Sequence, residues 1–160
     1  PDEYALTRWV EQNTPPNATL IEASGRQWRL DDKGQPVIDD SNGTGLDYSD
    51  AGRIATRTGR STLIGWYFHE IQWRGDSPAN HDEFDQREAL IDGVYTKKDP
   101  ANVLNTMKES GAEYVVVGQL ELQSYPAQFM PDFSQFLDTV FQSGDLRVYR
   151  LPIYEVTPTS

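Results

Sequence analysis

The chain has 160 residues and a formal net charge of −11, and 37% of its residues are apolar and 11% aromatic. This length predicts one domain over residues 1–160, because it allows one apolar core and leaves little room for a second. The composition excludes a bilayer-spanning run of about 20 apolar residues, the lack of cysteine excludes disulfides and thiolate chemistry, and the negative charge argues against a nucleic-acid partner.

Apolar runs and turn residues predict four elements in the first part of the chain. They are a helix over residues 4–12, a strand over 18–24, a polar hairpin-like insertion over 26–50 and a strand over 61–66. The helix carries Leu6 and Val10 on one face and cannot pass Pro15. The insertion contains two short extended pieces separated by a turn that ends at Gly34. This part of the chain therefore supplies two core strands and one surface hairpin.

Five further elements are predicted beyond residue 81. They are a helix over 82–95, a helix from the capping residue Asp99 to Gly111, a strand over 113–117, a helix over 133–141 and a strand over 146–151. Asp99 followed by Pro100 is typical of a helix start, and Gly111 is typical of a helix end. The helix over 133–141 is predicted from the apolar spacing that begins at Phe133, and Gly144 is expected to close it.

Strands and helices alternate along the chain, which is typical of an α/β fold. Parallel neighbours require crossovers long enough to hold a helix, so we expect a mostly parallel central sheet of about four to five strands with helices on both faces. The strand over 113–117 contains three consecutive valines and is expected at the centre of the sheet. The strand over 146–151 interleaves Arg147 and Arg150 and is expected near an edge.

Positive charge and aromatic rings concentrate in one segment, residues 53–74. It holds four arginines and one acidic residue, together with two of the four tryptophans and one of the two histidines. An arginine fork suits a phosphate or carboxylate and an indole ring suits the face of a sugar, so the segment could bind an anionic, sugar-bearing ligand. The other interpretation is that the tryptophans are core anchors and each arginine pairs with a nearby carboxylate. The sequence leaves both interpretations open.

No diagnostic catalytic or metal-binding motif accompanies this segment in the sequence. His69 with Glu70, and His81 with Asp82 and Glu83, offer metal-ligand chemistry, but their spacing matches no known metal motif. Ser61 lacks the second glycine of a nucleophile elbow, and the run 43–45 lacks the further glycine and helix start of a dinucleotide-binding loop. We therefore assign no catalytic residue, no metal and no cofactor to this chain.

Two stretches after the hairpin-like insertion carry a recognisable pattern. They read GRIATRTGRSTLIGW over residues 52–66 and HEIQWRG over residues 69–75. This pattern resembles the region that follows the last membrane spans in the YYY family of prokaryotic multi-span membrane proteins. The sequence departs from the family pattern at Ser61, where the family has proline, and residues 26–50 match little of it.

Later segments extend this resemblance over most of the chain. The runs IDGVY over residues 91–95 and EYVVVG over 113–118, with Glu121 and Tyr125, are similar to the same family. Membership implies a water-exposed, extracytoplasmic domain of a polytopic membrane protein similar to the GT-C glycosyltransferases, which use lipid-phosphate-linked sugars. The chain begins at Pro1 without a signal-peptide pattern, so we expect it to be a piece of a longer protein.

The resemblance also bears on activity and on the site. In GT-C enzymes the catalytic acid generally lies in loops between membrane helices, which implies that this domain is not catalytic alone even if its full-length parent is a transferase. The resemblance and the charge pattern together select nine ligand-binding candidates: Arg53, Arg57, Thr58, Trp66, His69, Glu70, Gln72, Trp73 and Arg74. The implied partners are the protein's own transmembrane region and a polyprenyl-phosphate sugar or glycan, at the extracytoplasmic face of the cell membrane.

Two other functions stay open at the level of sequence. One is a stand-alone module that binds a glycan or a protein partner, with catalysis elsewhere or nowhere. The other is a scaffold domain that packs on its own membrane helices and binds no ligand. An exposed apolar patch would favour the scaffold, and measurable affinity for a glycan would favour the binding module.

Overall fold

A computed structural model describes residues 2–39, 53–63 and 78–152, without the side chains of residues 56, 78–82 and 84. Before residue 64 the elements are α1 (Asp2–Asn13), β1 (Thr19–Ile21), β2 (Trp28–Leu30), β3 (Pro36–Ile38), α2 (Arg53–Thr58) and β4 (Ser61–Thr62). From residue 78 they are α3 (Pro78–Thr96), α4 (Pro100–Ser110), β5 (Tyr114–Val117), α5 (Gln119–Ser124), two 3₁₀ turns (Ala127–Phe129 and Phe133–Gln135), β6 (Asp138–Ser143) and β7 (Leu146–Arg150).

The main sheet has five strands in the order β4-β1-β5-β7-β6. β1 pairs in parallel with β4 on one side and with β5 on the other, so the core of the sheet is parallel as predicted. β7 pairs antiparallel with both β5 and β6, which makes the sheet as a whole mixed. β2 and β3 pair with each other in a separate antiparallel hairpin, which confirms the extended pieces of the insertion. Its residues 40–50 lie outside the described part of the chain.

Helices cover both faces of the sheet, as the alternation of elements predicts. On one face α3 and α4 bury Tyr95 and Met107 against Ile21 and Val115. On the other face α1 and α2 pack against the opposite side of the same strands, and their buried residues include Leu6, Val10 and Ile54. The central strand β5 is buried along its whole length because it contributes alternate side chains to both faces.

α4 begins and ends where the sequence predicts. The side chain of Asp99 accepts a hydrogen bond from the backbone N–H of Ala101 at 3.0 Å, and Pro100 occupies the first turn. Gly111 ends the helix with φ +75°, a left-handed conformation that favours glycine. The chain then enters β5 directly.

The prediction of a helix over residues 133–141 is wrong. Phe133 begins a 3₁₀ turn, in which the backbone N–H of Phe136 donates to Phe133 O at 3.2 Å, and β6 begins at Asp138. The turn and the strand together reproduce a helical spacing of apolar residues. Phe133 and Leu137 are buried at the turn, and the following residues form a strand because they pair with β7. Gly144, at φ +58°, belongs to the turn between β6 and β7.

The strand predicted near an edge of the sheet is β7, and β6 sets its position. β7 lies one strand in from the edge and pairs on both sides, because β6 covers it. The guanidinium of Arg150 lies 5.7 Å from the centroid of the Tyr114 ring on β5. Within the described ranges, no helix has both the length and the apolar character that a bilayer crossing requires.

Candidate functional site

The most distinctive place in this sheet is the gap between the carboxyl ends of β1 and β5. From β1 the chain moves outward to β4, and from β5 it moves to the opposite side of the sheet, to β6 and β7. In open α/β sheets such a reversal opens a crevice at the carboxyl ends of the two strands, and ligands bind there. Glu22 follows β1 and Gly118 follows β5, so both residues lie at this crevice.

A buried arginine fills the inner part of the crevice. Arg53, the first residue of α2, is 6% exposed. Its Nη2 donates to Glu121 Oε1 at 2.8 Å, and its Nη1 donates to Glu22 Oε1 and to Glu121 Oε2, each at 3.2 Å. Its Nε donates to Glu3 on α1. One guanidinium therefore ties together α1, α2, the end of β1 and α5; we refer to Arg53, Glu3, Glu22 and Glu121 as the Arg53 cluster.

The Arg53 cluster holds three carboxyl groups around one cation, and burial decides how this imbalance is resolved. Glu22 is fully buried, and this burial, with a smaller contribution from the nearby negative charge of Glu121, raises its pKa to about 8. The charge of Arg53 and the backbone amides of Ile54 and Ala55 lower the pKa but do not overcome the burial. Glu22 therefore carries a proton at neutral pH, and its Oε2 has no hydrogen-bond partner in the described structure.

Arg53 itself stays charged in this environment. Burial by itself lowers the pKa of a guanidinium, but the carboxylate of Glu121, with smaller contributions from Glu22 and Glu3, outweighs burial and raises the pKa of Arg53. Arginine is the residue best suited to such a place, because its fork can donate to several carboxylate oxygens at once. Removing one partner would leave a charge buried and uncompensated, which is far more costly than the net gain from the pair suggests.

Gly118 makes the close packing of the cluster possible. A Cβ atom at this position would lie 2.6 Å from Arg53 Nη2 and 2.8 Å from Glu3 Oε2. The backbone N–H of Gly118 donates to Glu121 Oε1 at 2.6 Å, and that of Ala23 donates to Glu121 Oε2 at 2.8 Å. Glycine therefore lets the guanidinium pack against the carboxyl end of β5, because a Cβ atom there would force the guanidinium to shift.

A second cluster of buried charges lies beside the first, where the chain continues from β1. Arg26 forms ion pairs with Asp92 at 2.8 Å and with Glu88 at 3.1 Å, both on α3. Asp92 Oδ1 also accepts hydrogen bonds from the hydroxyls of Ser24 and Tyr125, each at 2.7 Å. Burial raises the pKa of Glu88 to about 7, with Arg26 acting against the rise and Asp92 adding to it. Glu88 therefore titrates in the neutral range.

α5 connects the two clusters into one buried polar layer. Glu121 on α5 bonds to the backbone after β1, and Tyr125, which follows α5, accepts from the backbone N–H of Ser24 at 3.3 Å. Beneath the layer, the hydroxyl of Tyr95 donates to Val116 O at 2.7 Å. The carboxyl edge of β1 and β5 is consequently rigid and strongly polar, which is the preorganisation that a binding surface needs.

The mouth of the crevice is a small depression of about 160 Å³. It is lined by Glu3, Arg53, Arg57, Gln119, Leu120 and Gln123. Arg57, Gln119 and Gln123 are exposed, so they present polar side chains to a ligand at this edge.

The structure describes three of the nine predicted site residues. Arg53 lies at the centre of the crevice, but its guanidinium is engaged by the protein's own carboxylates. Arg57 is exposed at the mouth. Thr58 is buried, and its hydroxyl donates to Ile54 O within α2 and accepts from the N–H of Arg60 at 3.2 Å. The remaining candidates lie outside the described residues: Trp66, His69, Glu70, Gln72, Trp73 and Arg74.

Sequence reasoning did not select the acidic partners of the site. Two signals were present, because Glu22 is the one charged residue in the apolar run 18–24 and Glu88 shares a helical face with Ile91 and Tyr95. Acidic residues at core positions need partners, and these two find Arg53 and Arg26. Of the residues considered as metal ligands, only Glu83 has a described side chain; it accepts from Arg87 at 2.9 Å. Across the described ranges, no group of three or more His, Asp or Glu is arranged to hold a metal ion.

No protein-family model, curated protein or solved structure matches this chain. The resemblance to the YYY family therefore stays a prediction from sequence.

Proposed function

We propose that this chain is the extracytoplasmic, water-exposed domain of a polytopic membrane protein resembling the GT-C glycosyltransferases. In this proposal the domain assists the binding of a lipid-phosphate-linked sugar or its acceptor and is not catalytic alone. The observation that carries the proposal is the crevice between β1 and β5, because the motif residue Arg53 lies inside it and Arg57 lies at its mouth.

The two arginines have different roles in this proposal. Arg53 is a positioning residue, because its guanidinium is buried and saturated by the carboxyl groups of Glu3, Glu22 and Glu121. Arg57 lies one helical turn further along α2 and is exposed, so it can meet a ligand phosphate with a planar pair of donors. The Arg53 cluster fixes the start of α2 and thereby fixes Arg57.

Polar side chains on α5 complete the ligand-facing surface. Gln119 and Gln123 are exposed at the mouth of the crevice, four residues apart and therefore on one face of α5. Amide side chains offer both donors and acceptors, which suits the hydroxyl groups of a sugar. A phosphate on Arg57 and a sugar on α5 fit the two chemistries that a lipid-phosphate-linked sugar combines.

The test is a titration of the chain with a short-chain polyprenyl-phosphate sugar, followed through backbone amide NMR shifts. Saturable shifts are expected at residues 22–26 and 118–123, and the Gln119→Ala and Gln123→Ala variants should weaken them. Gln86→Ala, which removes an exposed glutamine from α3, is the matched control.

Three results would contradict the proposal: no shifts at millimolar ligand, shifts confined to other surfaces, or equal weakening by the α3 control. The same titration with the free sugar and with the prenyl phosphate lacking a sugar separates the two halves of the ligand. If neither half nor the whole ligand causes shifts, a scaffold that packs on membrane helices is favoured.

A further inference from the structure

A shallow groove between α1 and α2 contains two arginines that form no ion pair with any described residue. The groove has a volume of about 880 Å³ and is lined by Tyr4, Thr7, Arg8, Glu11, Gln12 and Arg57. Arg8 and Arg57 are both exposed. The geometry points to an anion site here: we propose that Arg8 and Arg57 together bind a phosphate group, with the ring of Tyr4 beside it.

Most other arginines in the described ranges are engaged by carboxylates or backbone carbonyl groups, and Arg150 instead contacts the ring of Tyr114. The chain carries 25 acidic residues against 14 basic ones, so carboxylate partners are plentiful. Arg26, Arg53 and Arg87 all form ion pairs at 3.2 Å or less. Neither Arg8 nor Arg57 forms an ion pair or a hydrogen bond with any described residue, yet both line the same groove. Two exposed cations with no ion-pair partner among the described residues are available to an external anion.

Tyr4 gives the groove an apolar wall next to the charge. Its side chain is 66% exposed, and the guanidinium of Arg8 lies 5.7 Å from the centroid of its ring. This stacking holds the Arg8 fork over the groove without using its hydrogen-bond donors. An aromatic or other apolar body attached to the phosphate would therefore rest on Tyr4 while the phosphate meets the two forks.

One acidic residue in the groove limits the affinity. Glu11 is exposed in the same lining, and its negative charge opposes a bound anion. Its structural contribution comes from the backbone, since Glu11 O accepts from Arg60 Nη2 at 2.7 Å. Replacing the side chain of Glu11 leaves that bond in place, so its charge can be removed without disturbing the fold.

The inference goes beyond the proposed function, because it requires only the groove and applies to any ligand with a phosphate group. Two sources share this chemistry: a soluble phosphate ester and the phosphate of a lipid headgroup. The probes are therefore inorganic phosphate, phenyl phosphate, and phosphatidylcholine vesicles with or without phosphatidic acid.

Calorimetric titration of the 160-residue chain with the two soluble probes is the first experiment. Saturable binding is expected, and Arg8→Gln and Arg57→Gln should each weaken it by about tenfold, because each removes charged hydrogen bonds to the phosphate. Tyr4→Ala should weaken phenyl phosphate more than inorganic phosphate. Glu11→Gln should tighten both, a gain that a merely damaged fold would not produce.

Arg29→Gln is the matched control, because Arg29 is an exposed arginine on β2, and its contact with Asp39 is loose at 3.9 Å. It changes the net charge by the same amount away from the groove.

The inference is overturned if neither soluble probe binds saturably, if Arg57→Gln binds as tightly as the parent chain, or if Arg29→Gln loses as much affinity as Arg57→Gln. If the soluble probes bind saturably, the vesicles identify the source of the phosphate. The site is assigned to a lipid phosphate if the chain co-sediments only with the vesicles that contain phosphatidic acid and Arg57→Gln abolishes this. It is assigned to a soluble ester if the chain co-sediments with neither kind of vesicle. Arg57 takes part in both proposals, but their tests stay distinguishable because Arg8 lines only the groove, whereas Gln119 and Gln123 line only the mouth of the crevice.

Discussion

Replacing Glu22 by glutamine should remove a large pH dependence from the stability of this protein. Glu22 is fully buried, its pKa in the folded protein is about 8, and its ordinary value is 4.5. In the window between these values the folded chain binds a proton that the unfolded chain has released. The free energy of unfolding therefore falls as the pH rises, and the contribution of Glu22 is fully present only below the ordinary pKa.

The size of this effect follows from the difference between the two pKa values. Each pKa unit corresponds to about 1.4 kcal/mol, so the loss across the whole window is about 5 kcal/mol as an upper limit. Glutamine has the shape of the protonated acid and keeps an oxygen for Arg53, so Glu22→Gln keeps the neutral state at every pH. The stability of the variant relative to the parent should rise by up to about 1.4 kcal/mol per pH unit through the window.

Urea unfolding of both proteins at several pH values from about 5 to 8 measures this difference. Comparing the two curves cancels the titration of the other carboxyl groups. Glu121→Gln is the contrasting variant, because Glu121 accepts from Arg53 and from two backbone N–H groups, and its loss should cost about 3 kcal/mol or more throughout the window. Parallel curves for the parent and Glu22→Gln would refute the reasoning, since they would mean that Glu22 is ionised in the fold.

Three further predictions concern the same framework. Gly118→Ala should lower the free energy of unfolding by about 2 kcal/mol, because the new Cβ would lie 2.6 Å from Arg53 Nη2, and unchanged stability in urea would contradict the packing described. Asp99→Ala should cost about 1 kcal/mol by removing the N-cap of α4, measured by thermal unfolding with Asp99→Asn as a control that retains the cap. The side-chain carboxyl of Glu88 should titrate near pH 7 by ¹³C NMR, and Arg26→Gln should move its midpoint upward, whereas a downward shift would rule out the ion pair with Arg26.

The failed prediction at residues 133–141 shows where local pattern misleads. A single turn that buries Phe133 and Leu137, followed by a strand, has the apolar spacing of a helix. The strand forms because β7 offers a row of unpaired backbone groups, and pairing with it satisfies the N–H and C=O groups of β6. A window of sequence contains no information about whether such a partner strand lies alongside.

The sequence by itself determined α1, α3, α4, the parallel core and the central strand of this protein. Asp99, Pro100 and Gly111 act within one helix, and the apolar pattern of β5 reports its own burial, so each signal is local. The polar layer was decided only by the tertiary structure. Arg53 lies 31 residues from Glu22 and 68 from Glu121, and Arg26 lies 66 from Asp92. Which acid receives which arginine, and which acid keeps its proton, depends on distances and burial that exist only after the strands have paired.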